Sequence, residues 1–298
     1  MGTGADVFDY QVIASDVRRL RIATDNKLER EAHPRLDRIS GAQPLIHSLF
    51  KVSANAFQSV MFLCTDSNAD PGRRPEFAIA APPLLRVLAD SLFSIVLLFD
   101  DLQTNVPWYW TSGWREMYRR YTQWEERHRN DPAWTHLLAQ QRRFIDSSHK
   151  EWGIGHSEKL FPENKHWPYS SRMPRAARCP QRKAFLNYLK AWVYGPLSSS
   201  THLSGPGLTT SASFLFARGH LDDYEERLAK YTSDQVFMAL TLLFAIVSEL
   251  EVEVSLGLAD RLAYLWVIIG KYAWAAEDLY LKRYQALLGF PSGGSELR

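Results

Sequence analysis

A histidine, a row of hydroxyls and two charged pairs are the residues of this 298-residue chain whose types and spacing suit chemistry. Between Tyr188 and Gly207 the sequence reads YLKAWVYGPLSSSTHLSGPG, an apolar helical pattern that breaks into a polar turn. Tyr194, Ser198 and His202 are four apart, so a helix places them on one face. Ser199, Ser200 and Thr201 add hydroxyls able to orient an imidazole. A histidine with an ordinary pKa of about 6.5 serves as general acid or base, which makes His202 the first catalytic candidate. The competing reading is a histidine bonded to a neighbouring helix, with the serines acting as helix caps. No G-x-S-x-G elbow or preceding strand activates Ser198, so it is read as a polar partner of His202 rather than a nucleophile.

Arg86 and Asp90 form an i, i+4 pair in the otherwise apolar run LLRVLADSLFSIVLLF, and Ser94 extends their stripe. If buried, such a pair is kept for a site or for specificity; if exposed, it is a solvated stripe of little energetic weight. Glu249 and Glu253 repeat the spacing on another apolar helix, placed to reach Arg86 or His202. A di-metal centre would need a histidine three residues after a helical glutamate, and neither has one, so no metal and no cofactor are expected.

The third candidate is a surface. Lys150, Lys159, Lys165, Arg172, Arg175, Arg178, Arg182 and Lys183 outnumber the acids of residues 150–183, with Trp152, Phe161, Trp167 and Tyr169 between them. Cations find phosphates and aromatic rings stack bases, so Lys165, Trp167, Arg172, Arg175 and Arg178 are assigned to single-stranded nucleic acid. The alternative is a solvated loop pinned by its aromatics. Trp114, Tyr118, Tyr121 and Trp124, interleaved with arginines, read as the core side of a helix over residues 112–129.

Composition limits the setting. A net charge of +2 excludes a strong global field, and two distant cysteines, Cys64 and Cys179, suggest neither a disulfide framework nor a zinc site. The opening MGTGADVFDY has no basic and apolar leader pattern, and Asp6 stands where a myristoylation signal needs Ser or Thr. The apolar runs Leu92 to Phe99 and Val236 to Val247 fall short of the roughly 18–20 residues that span a bilayer. A cytoplasmic protein without a membrane contact is expected, its partner RNA or another protein, with a homodimer allowed.

Helices must position these residues. Apolar spacing predicts helices over 6–31, 43–64, the stretch after Pro82-Pro83, 112–129 and the stretch after Asp131-Pro132. Asp100-Asp101 and VPWYW are read as a turn, and Gly195-Pro196 as a helix stop. Four prolines between 162 and 180 predict a long loop over 153–180 with no room for a helix. Two helices follow from Asp222 to Leu256, and a last one runs from Leu262 to Leu288. The sum is a single all-α domain, residues 1–298, a bundle of eight or nine helices.

Two stretches, PPLLRVLADSLFSIVLL and FLNYLKAWVYGPLSSSTHLSGPGL, resemble a bacterial family of all-helical proteins of unknown function. Its apolar helix carries an Arg and an acid four residues on, and its Tyr-rich helix leads to Leu-Ser and a His turn. That acid is usually glutamate, so Asp90 shortens its reach. The resemblance covers about residues 40–260 and implies a shared polar centre at Arg86, Asp90, Ser198 and His202, with no established activity. Arg142 and His149, seven apart on a predicted helix, loosely resemble the Arg and His signature of the HEPN superfamily, which includes metal-independent ribonucleases acting at dimer interfaces. The polar residues set at helix ends among apolar helices and the basic aromatic loop point to a nucleic-acid-related or defence-associated protein, with metal-independent RNA cleavage as the first activity to test. The rival class is a non-enzymatic helical interaction module.

Overall fold

A computed structural model describes residues 10–65, 75–151, 166–201, 209, 212–214 and 223–290. Their regular structure is entirely helical, with no strand among the described residues. The helices are α1 (Gln11–Arg30), α2 (Pro34–Asp37), α3 (Ala42–Cys64), α4 (Ala81–Leu98), α5 (Leu102–His128), α6 (Thr135–Glu151), α7 (Met173–Ala176), α8 (Pro180–Leu189), α9 (Gly195–Thr201), α10 (Tyr224–Val254), α11 (Ala259–Gly270), α12 (Trp274–Leu279) and α13 (Gln285–Leu287). Their number exceeds the eight or nine expected, because single-turn helices and breaks inside apolar runs leave no periodic signal of their own.

The core lies where α3, α4 and α10 meet. Every residue from Ser91 to Phe99 on α4 and from Ala239 to Leu250 on α10 is buried. Burying one large apolar side chain contributes about 1.5–3 kcal/mol, so these runs drive the packing. By length and composition, two apolar helical stretches, Glu76–Leu98 and Tyr224–Val254, reach the size of a membrane span, correcting the shorter runs read from sequence; 72% of each apolar window is buried inside the protein.

Several boundaries differ from the expected ones for identifiable reasons. VPWYW is helix rather than turn: Asp101 caps α5 by accepting from the Thr104 N–H at 3.2 Å. Pro107 follows within that helix, and its missing N–H forgoes a single bond. The buried Asn105 side chain donates to the Leu97 carbonyl at 2.7 Å, satisfying one of the orphan acceptors at the end of α4. Where two helices were expected, the described residues Tyr224–Val254 form one, α10, and the alternating SELEVEV remains helical to Val254.

Gly195-Pro196 does not end its helix. Residues Lys190–Tyr194 form a π turn in which the Gly195 N–H bonds the Lys190 carbonyl. Proline in a regular helix would clash with the carbonyl four residues before it, and the wider turn immediately ahead of Pro196 relieves this. A second π turn, Tyr280–Tyr284, joins α12 to α13, and the expected single C-terminal helix is broken at Lys271–Ala273.

Candidate functional site

Arg86 and Asp90 sit on the one half-buried stripe of α4. Arg86 Nε donates to both Asp90 carboxylate oxygens, each at 3.0 Å. The guanidinium carbon lies 3.7 Å from the centroid of the Tyr194 ring. Arg86 keeps only 18% of its side chain exposed while Asp90 keeps 45%, so the pair is neither a free surface stripe nor sealed in the core. Ser94, expected to extend the stripe to solvent, is buried.

Two segments bring partners to this pair. Residues 166–182, from the proline-rich region, lie along α4: the buried Ser170 hydroxyl donates to Asp90 Oδ1, and the backbone N–H groups of Arg178 and Cys179 donate to Asp100 at 2.6 and 2.9 Å. These residues hold a turn, Ser170–Arg172, and α7, which corrects the expectation that 153–180 excludes helices; residues 152–165 lie outside the described ones. From Pro180 the chain runs back antiparallel to α4. Arg182 donates to the Val96 carbonyl at 3.3 Å, the Tyr194 ring lies 6.1 Å from Phe93, and the π turn sets Tyr194 over Arg86. Ser198 is half-buried one turn further on.

Glu249 and Glu253 form a separate centre. Glu249 is 1% exposed; its Oε1 accepts from Arg283 Nε at 2.7 Å and from the Tyr284 hydroxyl at 3.0 Å, and its Oε2 lies 3.8 Å from Arg182. Glu253 accepts from Arg182 and Arg35. Burial opposes the charge on Arg283, yet Glu249 and Tyr284 beside it raise its pKa above the ordinary value. Burial first and Glu249 second push the Tyr284 phenol well above its usual range, so it stays a donor. Glu249 therefore meets Arg283, Tyr284 and Arg182 and not Arg86, one of the two partners expected for it; the other, His202, lies outside the described residues. Val96, the residue Arg182 touches on α4, is ten residues and so about 15 Å of helix rise from Arg86.

The other expected residues divide clearly. His202 and Lys165 lie outside the described residues, as does the side chain of His149. Arg142 pairs with Asp146 at 3.0 Å. Trp167 is a packing residue: its backbone N–H donates to the Ser112 hydroxyl at 2.5 Å and its ring meets Trp108 and Tyr109 edge-on, each at 5.1 Å. Arg178 is engaged by Asp101 at 2.8 Å, while Arg172 and Arg175 are exposed. On α5 only Tyr121 of the four aromatics is buried; Tyr118 and Trp124 are exposed. Sequence reading missed Ser170, Arg283 and Tyr284, and counted Arg182 only among the cations of residues 150–183. One signal for this site was in the sequence: residues 166–201 contain six Lys and Arg and no Asp or Glu.

Among the described residues no group of three His, Cys, Asp or Glu converges to hold a metal ion. The fold and the two centres define an all-α protein with charged pairs bonded across its core helices. Compared with known proteins, the chain matches no family model, no curated sequence and no solved structure.

Proposed function

We propose that the centre on α4 is the working site of a nucleic-acid-related protein, in which Arg86, Asp90 and Ser198 act with His202. The carrying observation is a charged pair on the most buried helix, fixed by Tyr194 and Ser170, which belong to a segment that carries six Lys and Arg and no acid. Arg86 would engage a phosphate and His202 would transfer the proton, a division of labour that needs no metal. A cytoplasmic setting and a helical-bundle architecture accompany this reading.

The test is RNA degradation without added metal by the parent, His202→Ala and Arg86→Gln, with thermal melting of each. Cleavage by the parent that is lost in His202→Ala at unchanged melting supports the proposal. Absence of cleavage in the parent, with His202→Ala losing about 1–3 kcal/mol of stability, favours a buried polar network and sinks it.

A second reading, a non-enzymatic interaction module, is favoured by α5 and α6. These helices share a small apolar cluster of their own, Tyr121, Leu138 and Ile145, and leave Tyr118, Trp124, Leu137 and Phe144 exposed. Under this reading Trp124→Ala and Phe144→Ala abolish partner capture and leave stability within about 0.5 kcal/mol of the parent.

A further inference from the structure

We infer that Arg86 is a receptor for a phosphate group, held by Tyr194 against its face and by Asp90 along its edge, with both terminal nitrogens left to the ligand. The inference deepens the proposed function and rests on reading this centre as a ligand site.

A guanidinium carries five N–H donors in a rigid fork. Arg86 spends only Nε on Asp90, and among the described residues Nη1 and Nη2 make no hydrogen bond. Arg182 on the same protein uses both terminal nitrogens, on the Val96 carbonyl and on Glu253. Arg283, like Arg86, donates its Nε to a carboxylate and stacks on a ring, but its carboxylate, Glu249, is sealed in the core, whereas Asp90 is almost half exposed. Arg86 is thus preorganised at an opening to solvent. Tyr194 fixes the plane of its guanidinium at 3.7 Å, and Ser170 fixes the carboxylate that fixes Nε. Asp90 is thus a positioning residue: its oxygens are occupied by Arg86 and Ser170.

Charge selects the ligand. The segment that runs along α4, residues 166–201, carries no acid, and two of its six cations, Arg178 and Arg182, are ion-paired toward the far end of that helix. Arg172, Arg175, Lys183 and Lys190 are exposed, and among the described residues none has an acidic partner. Arginine forks bind phosphate in bidentate fashion, and added cations favour a multiply charged group over a lone carboxylate. The phosphate could belong to a free or nucleotide monoester or to an RNA backbone.

The experiment is calorimetric titration of the full chain with inorganic phosphate, adenosine monophosphate and a short single-stranded RNA. Saturable binding of at least one probe is expected. It should weaken by about tenfold or more in Arg86→Gln and also in Arg86→Lys, which keeps the charge and loses the fork. Should Arg86→Gln fail to fold, Tyr194→Leu, which removes the face holding the guanidinium, must weaken binding instead. Monoester binding without RNA binding assigns a small-molecule source, and RNA alone assigns the backbone; each upholds the receptor. No binding of any probe, or binding in Arg86→Gln and Arg86→Lys as tight as in the parent, overturns it. The two claims fail distinguishably: phosphate binding through Arg86 without RNA cleavage removes only the proposed reaction, whereas cleavage that needs His202 and not Arg86 removes the receptor and the share of the reaction given to Arg86.

Discussion

Arg283 donates its Nε to Glu249 at 2.7 Å while its guanidinium carbon rests 3.8 Å from the centroid of the Phe185 ring. An ion pair so enclosed has little water to fall back on when one partner is removed. Glu249→Ala leaves Arg283 uncompensated and the Tyr284 hydroxyl without its acceptor, and is expected to cost about 3–5 kcal/mol. Replacing both charges, as Glu249→Leu with Arg283→Met, removes the desolvation penalty along with the attraction and should recover most of that loss. Urea unfolding of the two single variants and the double variant measures the coupling. Additive losses would show that the pair is not energetically linked.

Gly41 precedes α3 with φ at +77°, and an added Cβ would lie 2.8 Å from Trp110 Nε1. That nitrogen donates to the Gly41 carbonyl at 3.1 Å, so backbone shape and hydrogen bond depend on the same small space. Gly41→Ala combines left-handed strain of about 1 kcal/mol with displacement of the indole. A total loss of about 2–3 kcal/mol is expected, together with a shift in tryptophan fluorescence. Unchanged stability would mean that Trp110 moves aside without cost.

Ser170→Ala removes the hydroxyl that binds Asp90. Since Asp90 is almost half exposed, water replaces part of this bond and the loss in stability should stay near 1 kcal/mol. Its effect on phosphate binding should be larger in proportion, because the hydroxyl orients Asp90 and Asp90 orients Arg86. A matched loss of stability and affinity would point to a packing role alone.

Local periodicity and first-turn prolines made α3 and α4 legible to within about two residues, and i, i+4 spacing was enough to pair Arg86 with Asp90. Spacing could not name partners brought from elsewhere in the chain. Ser170, Arg182 and Tyr284 carry no local mark of the carboxylates they bind, since folding alone brings those groups together. The π turn at Lys190–Tyr194 was hidden for a related reason: Pro196 reads locally as a stop, and only packing against α4 makes a strained continuation worthwhile. Without that turn the face of Tyr194 would not fall on Arg86, so the least legible backbone feature positions the most testable side chain.

Alkaline pH tests the buried tyrosines as a group. Burial, followed by Asp278 and its hydrogen bond, raises the Tyr188 phenol to about 12. Burial chiefly, with Cys64, raises Tyr231 to about 12 as well. Tyr284 is displaced in the same direction by burial and Glu249. An unfolded tyrosine titrates near 10, so over the interval from about pH 10 to 12 the unfolded chain loses phenolic protons that the folded chain retains. The folded state binds more protons there, and stability must fall as pH rises. Below pH 10 both states hold these phenols neutral, and the stabilising contribution is fully present. Ultraviolet titration should show Tyr188, Tyr231 and Tyr284 ionising only with loss of helical circular dichroism. Tyr188→Phe and Tyr231→Phe should each move the alkaline unfolding midpoint upward, because the substituted ring has no proton to lose on unfolding. Ionisation of all thirteen tyrosines in one transition near pH 10 with the helices intact would refute the buried environment of this group.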